Sequence, residues 1–160
     1  MPAVLSHAVT WWAALYSGSA VLRTVVAFFH VAGLVGGGGA AIAADRATLK
    51  ATRRGLAVTR QQLAAIHNTH RVVIVGLAAV IVSGVLLFGA DVGTYAVSRL
   101  FWLKMGMVAL LMINGAILVR VGRNGSEPNE RTRRTMRWTA GLSLALWFLT
   151  TLAGAGLPNI

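Results

Sequence analysis

Four apolar stretches alternate with charged segments along this chain. They cover residues 24–44, 72–90, 100–119 and 138–157. Each is long enough to cross a hydrocarbon layer about 30 Å thick, because an α-helix rises about 1.5 Å per residue. Nearly all the charged residues lie between the stretches. The pattern predicts an all-α, transmembrane four-helix bundle, built as two antiparallel helical hairpins in a single membrane domain covering residues 1–160.

Residues 1–19 precede the first span and contain Trp11, Trp12 and Tyr16. Aromatic rings of this kind favour the boundary between lipid and water. We therefore expect an amphipathic segment that lies in the outer interface; the alternative is a helical extension of the first span. No Lys or Arg occurs before Arg23, so the segment lacks the basic start of a signal peptide and we expect no cleavage.

Composition supports the membrane class and excludes several chemistries. Of the 160 residues, 56% are hydrophobic and 12% are charged, which is too apolar for a soluble domain of this size. The absence of cysteine excludes disulfides, thiolate metal sites, iron–sulfur clusters and thiol nucleophiles. Four carboxylates are present in all, and Ser83 and Ser143 lie in apolar stretches, so we expect no catalytic site.

The basic residues predict the orientation of the chain. The net charge is +11, and twelve of the fifteen basic residues follow the first or third span, against three on the other side: Arg23, Arg99 and Lys104. By the positive-inside rule, both termini then face away from the cytoplasm. Because the basic residues flank spans and form no aromatic stacking surface, we interpret them as topology signals and lipid-headgroup contacts, with no role in nucleic-acid binding.

A run of glycines removes side-chain bulk from the first span. Its members are Gly33, Gly36, Gly37, Gly38 and Gly39. Small residues let a neighbouring backbone approach closely in lipid, whereas each glycine costs a helix about 1 kcal/mol relative to alanine. The run therefore predicts tight helix packing or self-association. The alternative is a surface for a lipid or for a flat ligand such as a porphyrin, a quinone or a pigment.

The positions of His30 and Asn114 in the sequence predict two contacts between spans. If the first hairpin turns at Gly55, antiparallel pairing places His30 opposite Val80. Asn114 lies midway along the third span, where an amide commonly hydrogen-bonds to a neighbouring helix.

Histidine and methionine inside the spans are candidate ligands, since such groups in a membrane often mark function. His30 lies about 10 Å inside Arg23, and Met105 and Met107 lie at a similar depth in the third span. Imidazole and thioether ligands suit haem iron and copper, so one hypothesis is a haem or copper site. The alternative is a neutral histidine that bonds to a neighbouring helix, with the methionines in ordinary packing.

A second polar group is expected at the inner end of the first hairpin. His67 and His70 are three residues apart and share a helix face, and Asp45 is expected nearby, where its carboxylate would orient an imidazole. Along the helix axis His70 and His30 differ by about 15 Å, so we do not expect both to hold one haem. The alternative is a hydrated rim of hydrogen bonds and salt bridges.

Several runs in this chain resemble a family of uncharacterised bacterial four-helix integral membrane proteins. These runs are residues 29–34 (FHVAGL), 43–49 (AADRATL), 67–71 (HNTHR), 83–88 (SGVLLF) and 101–105 (FWLKM). That family is loosely similar to copper-resistance protein D and to membrane b-type cytochromes. The resemblance covers about residues 25–120 and implies a bundle in the bacterial inner membrane with redox or copper associations. In it, His30 matches the histidine of the first helix.

Three functional hypotheses follow. The first is a small non-catalytic accessory subunit of a respiratory or photosynthetic complex, which packs against partner subunits or copies of itself through glycine-rich faces. The second is a redox protein that binds haem b or copper at His30 and takes part in electron transport. The third and weakest is a small transporter that oligomerises to form a pathway.

Overall fold

The computed structural model describes residues 3–54, 60–123 and 130–157, and their side chains over 6–52, 71–121 and 130–157. Every element in these ranges is helical, and no strand occurs in them. The helices are α1 (Ala3–Gly18), α2 (Ala20–Gly33), a π-helical turn (Leu34–Gly38), α3 (Gly39–Arg54), α4 (Arg60–Ala90), α5 (Val92–Val97), α6 (Arg99–Arg123) and α7 (Glu130–Gly156).

The prediction of four membrane-spanning helices is confirmed for the part of the chain that the structure describes. The four segments of sufficient length and hydropathy are Ala20–Thr52, Arg71–Ala90, Arg99–Val121 and Glu130–Gly156. The chain is thus a multi-pass membrane protein, and the large apolar side chains on its helix surfaces suit contact with lipid. The helix that contains the first span continues to Arg54, and α7 begins at Glu130. Both extend beyond the apolar stretches 24–44 and 138–157, because Arg, Lys and Glu are good helix formers.

Polar side chains mark the starts of α2 and α5. Ser19 separates α1 from α2, and its side-chain oxygen accepts a hydrogen bond from the Leu22 amide at 3.2 Å. Asp91 accepts one from the Thr94 amide at 3.2 Å and begins α5. Both are N-caps, which satisfy amides that have no partner within the helix. The segment after Gly89 therefore contains a short helix.

The glycine run changes the type of helix without interrupting it. Leu34–Gly38 forms a π-helical turn, and the flanking Gly33 and Gly39 keep right-handed helical dihedral angles. A π-turn inserts one extra residue into an α-helix. Glycine has a low α-helical propensity and no β-carbon, so a run of glycines tolerates this wider turn. Residues Ala20–Arg54 consequently remain helical throughout.

The chain divides into two compact units. The first contains residues 1–39 and 72–98, and the second contains residues 40–71 and 99–160. In the first unit, α1 contacts α2, and α2 contacts the part of α4 that follows Val75. In the second unit, α6 and α7 pack along each other. The buried residues of α7 recur every three or four positions, which gives this helix one continuous inner face: Thr139, Ala140, Ser143, Leu146, Trp147, Thr150 and Ala153.

Candidate functional site

Three glycines bring two backbones of the first unit into direct contact. A β-carbon placed at Gly76 would lie 2.4 Å from the Gly37 α-carbon and 2.9 Å from the Gly33 carbonyl oxygen. A β-carbon at Gly37 would in turn lie 2.9 Å from the Gly76 α-carbon. No side chain fits at this crossing, so Gly33 and Gly37 serve the close approach of α2 and its π-turn to α4. This face is filled by the protein's own backbone, which leaves no room there for a flat ligand.

The two exposed glycines of the run, Gly36 and Gly39, are not in close contact with another helix of the described chain. A β-carbon at Gly36 or at Gly39 would meet no described atom within 4 Å, and both residues are exposed, as is Ala32 one turn before. Gly38 is buried. The run therefore has one face used inside the first unit and a second face, formed by Ala32, Gly36 and Gly39, that is open. We call these three residues the open small-residue face.

His30 is held by a serine of the opposite helix in the same unit. Its Nδ1 lies 2.9 Å from the Ser83 hydroxyl, and that hydroxyl donates to the Ala79 carbonyl at 2.5 Å. Because a hydroxyl has one hydrogen to donate, the Ser83 oxygen accepts from Nδ1–H. A hydrogen bond to one ring nitrogen orients an imidazole within its helix pair.

The position of His30 differs from the predicted one. It contacts Ser83, and a β-carbon at Gly84 would lie 3.5 Å from the imidazole Cε1, whereas Val80 lies against Gly33. The pairing is thus shifted by three residues from the predicted partner Val80. The prediction placed the turn at Gly55, but α3 ends at Arg54 and α4 begins at Arg60, so the midpoint between the helices lies two residues later than assumed.

Helix α1 is attached to the end of α4 through Trp12. The indole Nε1–H donates to the Leu86 carbonyl at 2.8 Å, and a β-carbon at Gly89 would lie 3.3 Å from the indole Cδ1. Tyr16 lies one turn further on the same side of the helix, with its ring 5.9 Å from that of Trp12. Trp11 is 61% exposed. Helix α1 therefore has one face that packs against α4 and one face that is exposed.

The second unit contains a buried carboxyl. Asp45 on α3 is 3% exposed, and its side chain lies within hydrogen-bonding reach of Ser143 on α7. The carboxyl oxygen Oδ2 has no partner among the described residues. We predicted Asp45 as a residue that orients His67 or His70; the side chains of these two histidines lie outside the described residues. The contact with Ser143 was not predicted, although this residue is one of the few hydroxyl side chains in the apolar stretch 138–157.

Further buried polar groups accompany this carboxyl in the second unit. Asn114 on α6 donates its side-chain amide to the Thr139 carbonyl on α7 at 2.9 Å, one turn before Ser143. Thr150 is buried on the same face of α7, and its hydroxyl oxygen has no partner among the described residues. The interior of this unit is consequently more polar than the lipid-facing surface, an arrangement typical of functional membrane proteins.

The remaining predicted ligands are not brought together with a second ligand by any contact described. Met105 and Met107 are half-buried on α6 and belong to the second unit, whereas His30 belongs to the first. Within the described ranges, no three His, Asp or Glu side chains cluster in a way that would hold a metal ion. The chain matches no protein-family model, and no curated protein or solved structure matches it either.

Proposed function

We propose that this protein is a small non-catalytic subunit of a larger bacterial energy-transducing complex, respiratory or photosynthetic, in the inner membrane. In this proposal the four spans form one bundle of two antiparallel hairpins with both termini on the outer side. The orientation is supported by the twelve basic residues on one side against three on the other. The assembly role is supported by the open small-residue face.

The open small-residue face carries the proposal because no contact among the described residues accounts for its glycines. Each helical glycine costs about 1 kcal/mol relative to alanine. At Gly33 and Gly37 that cost is offset by close packing with Gly76. At Gly36 and Gly39 no described atom lies within 4 Å of the β-carbon position. In lipid, the backbone of a partner's helix is what such a face accommodates.

Purification in a mild detergent from the native membrane, followed by mass spectrometry, tests the assembly role. We expect a partner membrane protein in fixed stoichiometry. The variant Gly36→Leu should no longer co-purify with this partner, because the leucine side chain would occupy the surface on which the partner's helix packs. The purified variant should keep its helical content, since no described atom lies within 4 Å of the β-carbon position. The matched control is Val31→Phe, which adds a similar number of atoms at an exposed position outside the open small-residue face.

Two results of this experiment would contradict the proposal. One is a chain that purifies alone from native membranes under conditions that keep respiratory complexes intact. The other is a partner that Gly36→Leu and Val31→Phe retain equally. A second copy of this chain as the sole partner would replace the accessory role with self-association. Orientation is tested separately with reporters fused after Ile160: a periplasmic phosphatase reporter should be active and a cytoplasmic fluorescent reporter dark.

A second candidate function is a redox role for His30, and the contact with Ser83 favours it. This contact holds the imidazole through Nδ1, and Nε2 is the ring nitrogen that would bind haem iron or copper. Such a group would supply one-electron chemistry, while the chain would orient the ligand through Ser83. An absorption spectrum and a copper analysis of the purified protein decide the matter. A Soret band or bound copper that is lost in His30→Ala, and kept in the exposed-residue control His7→Ala, would establish this role.

A further inference from the structure

Two buried oxygens of the second unit lack a hydrogen-bond partner within the part of the chain that the structure describes. They are Oδ2 of Asp45 and Oγ1 of Thr150. Buried polar atoms in native proteins nearly always have a partner, and an exception indicates a bound water, an ion or a functional group. Asp45 is the more informative of the two, because a carboxyl carries a charge when it is ionised.

The carboxyl of Asp45 has no basic partner among the described side chains. On its own helix, the neighbouring Arg46 and Lys50 are exposed while Asp45 is buried. The residue that faces it from α7 is the neutral Ser143. An isolated carboxylate is very costly to bury in an apolar interior, so a positive charge must accompany it.

The other charged groups of the second unit whose side chains the structure describes lie elsewhere. The described charged residues of α7 end at Arg137, before the buried face begins at Thr139. On α6, Arg120 is exposed, and the Lys104 ammonium lies beside Gly154, where a β-carbon would be 3.2 Å from it. Gly154 is eleven residues beyond Ser143, or about 16 Å along the helix axis. None of these groups neutralises Asp45.

We propose that Asp45 and Ser143 form an intramembrane binding site for a small monovalent cation, either a proton or Na⁺. The site offers one negative charge, a carboxylate oxygen without a partner among the described residues, and a hydroxyl within hydrogen-bonding reach of the carboxyl. A single small positive charge balances this set, whereas a divalent ion would leave an excess charge buried. The proposal is independent of the assembly role and adds an exchangeable ion to the interior of the second unit.

Labelling with dicyclohexylcarbodiimide tests the site in the full-length chain, reconstituted in lipid vesicles. This reagent is apolar and reacts with protonated carboxyls inside membranes. We expect an adduct at Asp45, located by mass spectrometry of peptides, that is absent from Asp45→Asn and retained in Asp91→Asn, which alters an exposed carboxyl. Labelling is measured across a pH series in NaCl and in choline chloride of equal concentration.

The two salts distinguish the two cations. Suppression of labelling by Na⁺, but not by choline, identifies a site that Na⁺ shares with the proton. Suppression by raised pH alone identifies a proton site. In either case Ser143→Ala should move the half-point of suppression by about tenfold or more in cation activity, because a hydrogen bond to a charged group contributes at least about that factor. Ser17→Ala, at an exposed serine of α1, should leave the half-point unchanged.

Infrared spectroscopy keeps the test decisive if the reagent cannot reach the site or if Asp45→Asn fails to fold. An exchangeable carboxylic acid in the wild-type protein gives a carbonyl band that shifts in D₂O and loses intensity as the cation is changed. The proposal is overturned if Asp45 gives neither an adduct nor such a band. It is equally overturned if Ser143→Ala leaves the half-point where it was.

Discussion

The substitution Gly76→Ala tests whether α2 and α4 touch through their backbones in the first unit. The new β-carbon would lie 2.4 Å from the Gly37 α-carbon and 2.6 Å from the Gly37 amide nitrogen. Non-bonded carbon atoms prefer a separation of about 3.5–4.0 Å, so the two helices must move apart by about 1 Å. The atoms in the way belong to the backbone and cannot rotate aside. We therefore expect loss of stability in spite of the better helix propensity of alanine.

The magnitude follows from two opposing terms. Overpacking of a close contact costs about 1–3 kcal/mol, while replacing a helical glycine by alanine gains about 1 kcal/mol. At Gly36 the first term is absent, because a β-carbon there meets no described atom within 4 Å. Gly36→Ala should thus stabilise the free chain by about 0.4–1 kcal/mol. The two variants should differ by about 1–3 kcal/mol in their free energies of unfolding.

The assay is equilibrium unfolding in mixed detergent micelles, with increasing dodecyl sulfate and helical circular dichroism as the signal. Gly37→Ala should behave like Gly76→Ala, since its β-carbon would lie 2.9 Å from the Gly76 α-carbon, and Gly39→Ala should behave like Gly36→Ala. Equal free energies of unfolding for Gly76→Ala and Gly36→Ala would refute the backbone contact. So would a Gly76→Ala variant that is more stable than the wild type.

Two further predictions concern hydrogen bonds that hold the helices. Trp12→Phe removes the donor to the Leu86 carbonyl and should lower the free energy of unfolding by about 0.5–1.5 kcal/mol in the same assay. Trp11→Phe, at an exposed ring, should have no effect, and equal losses would contradict the attachment of α1 through Trp12. Asn114→Ala removes the amide that binds a carbonyl of α7 and should cost about 0.6–1.7 kcal/mol. Ile113→Ala at a lipid-exposed neighbour is its control, and an Asn114→Ala variant as stable as this control would refute the contribution of the bond.

The four spanning helices could be predicted because length and hydropathy are properties of the sequence itself. An apolar stretch must be helical in lipid, since its backbone groups have no water to bond to. The helix ends were predicted less well. Residues such as Lys50 and Arg131 are polar but favour helix, so α3 and α7 continue past the apolar stretches.

Contacts between helices could not be predicted in the same way. The partner of a side chain depends on the rotation and the axial shift of each helix, and an error of three residues replaced Ser83 by Val80 as the neighbour of His30. The hydroxyls of Ser83 and Ser143 were recognised in apolar helices, but their bonds to His30 and Asp45 depend on that rotation. The π-turn also has no signal beyond the glycines that permit it.

The backbone contact at Gly76 also bears on how the chain is assembled during synthesis. All residues of the first unit precede Arg99, and the N-terminal part of a chain is the first to leave the ribosome. Glycine has no side-chain rotamers to immobilise, so α2 and α4 can join with little loss of conformational freedom. All the residues of this contact are therefore synthesised, and the first two spans can pair in the lipid, before α6 and α7 have been translated.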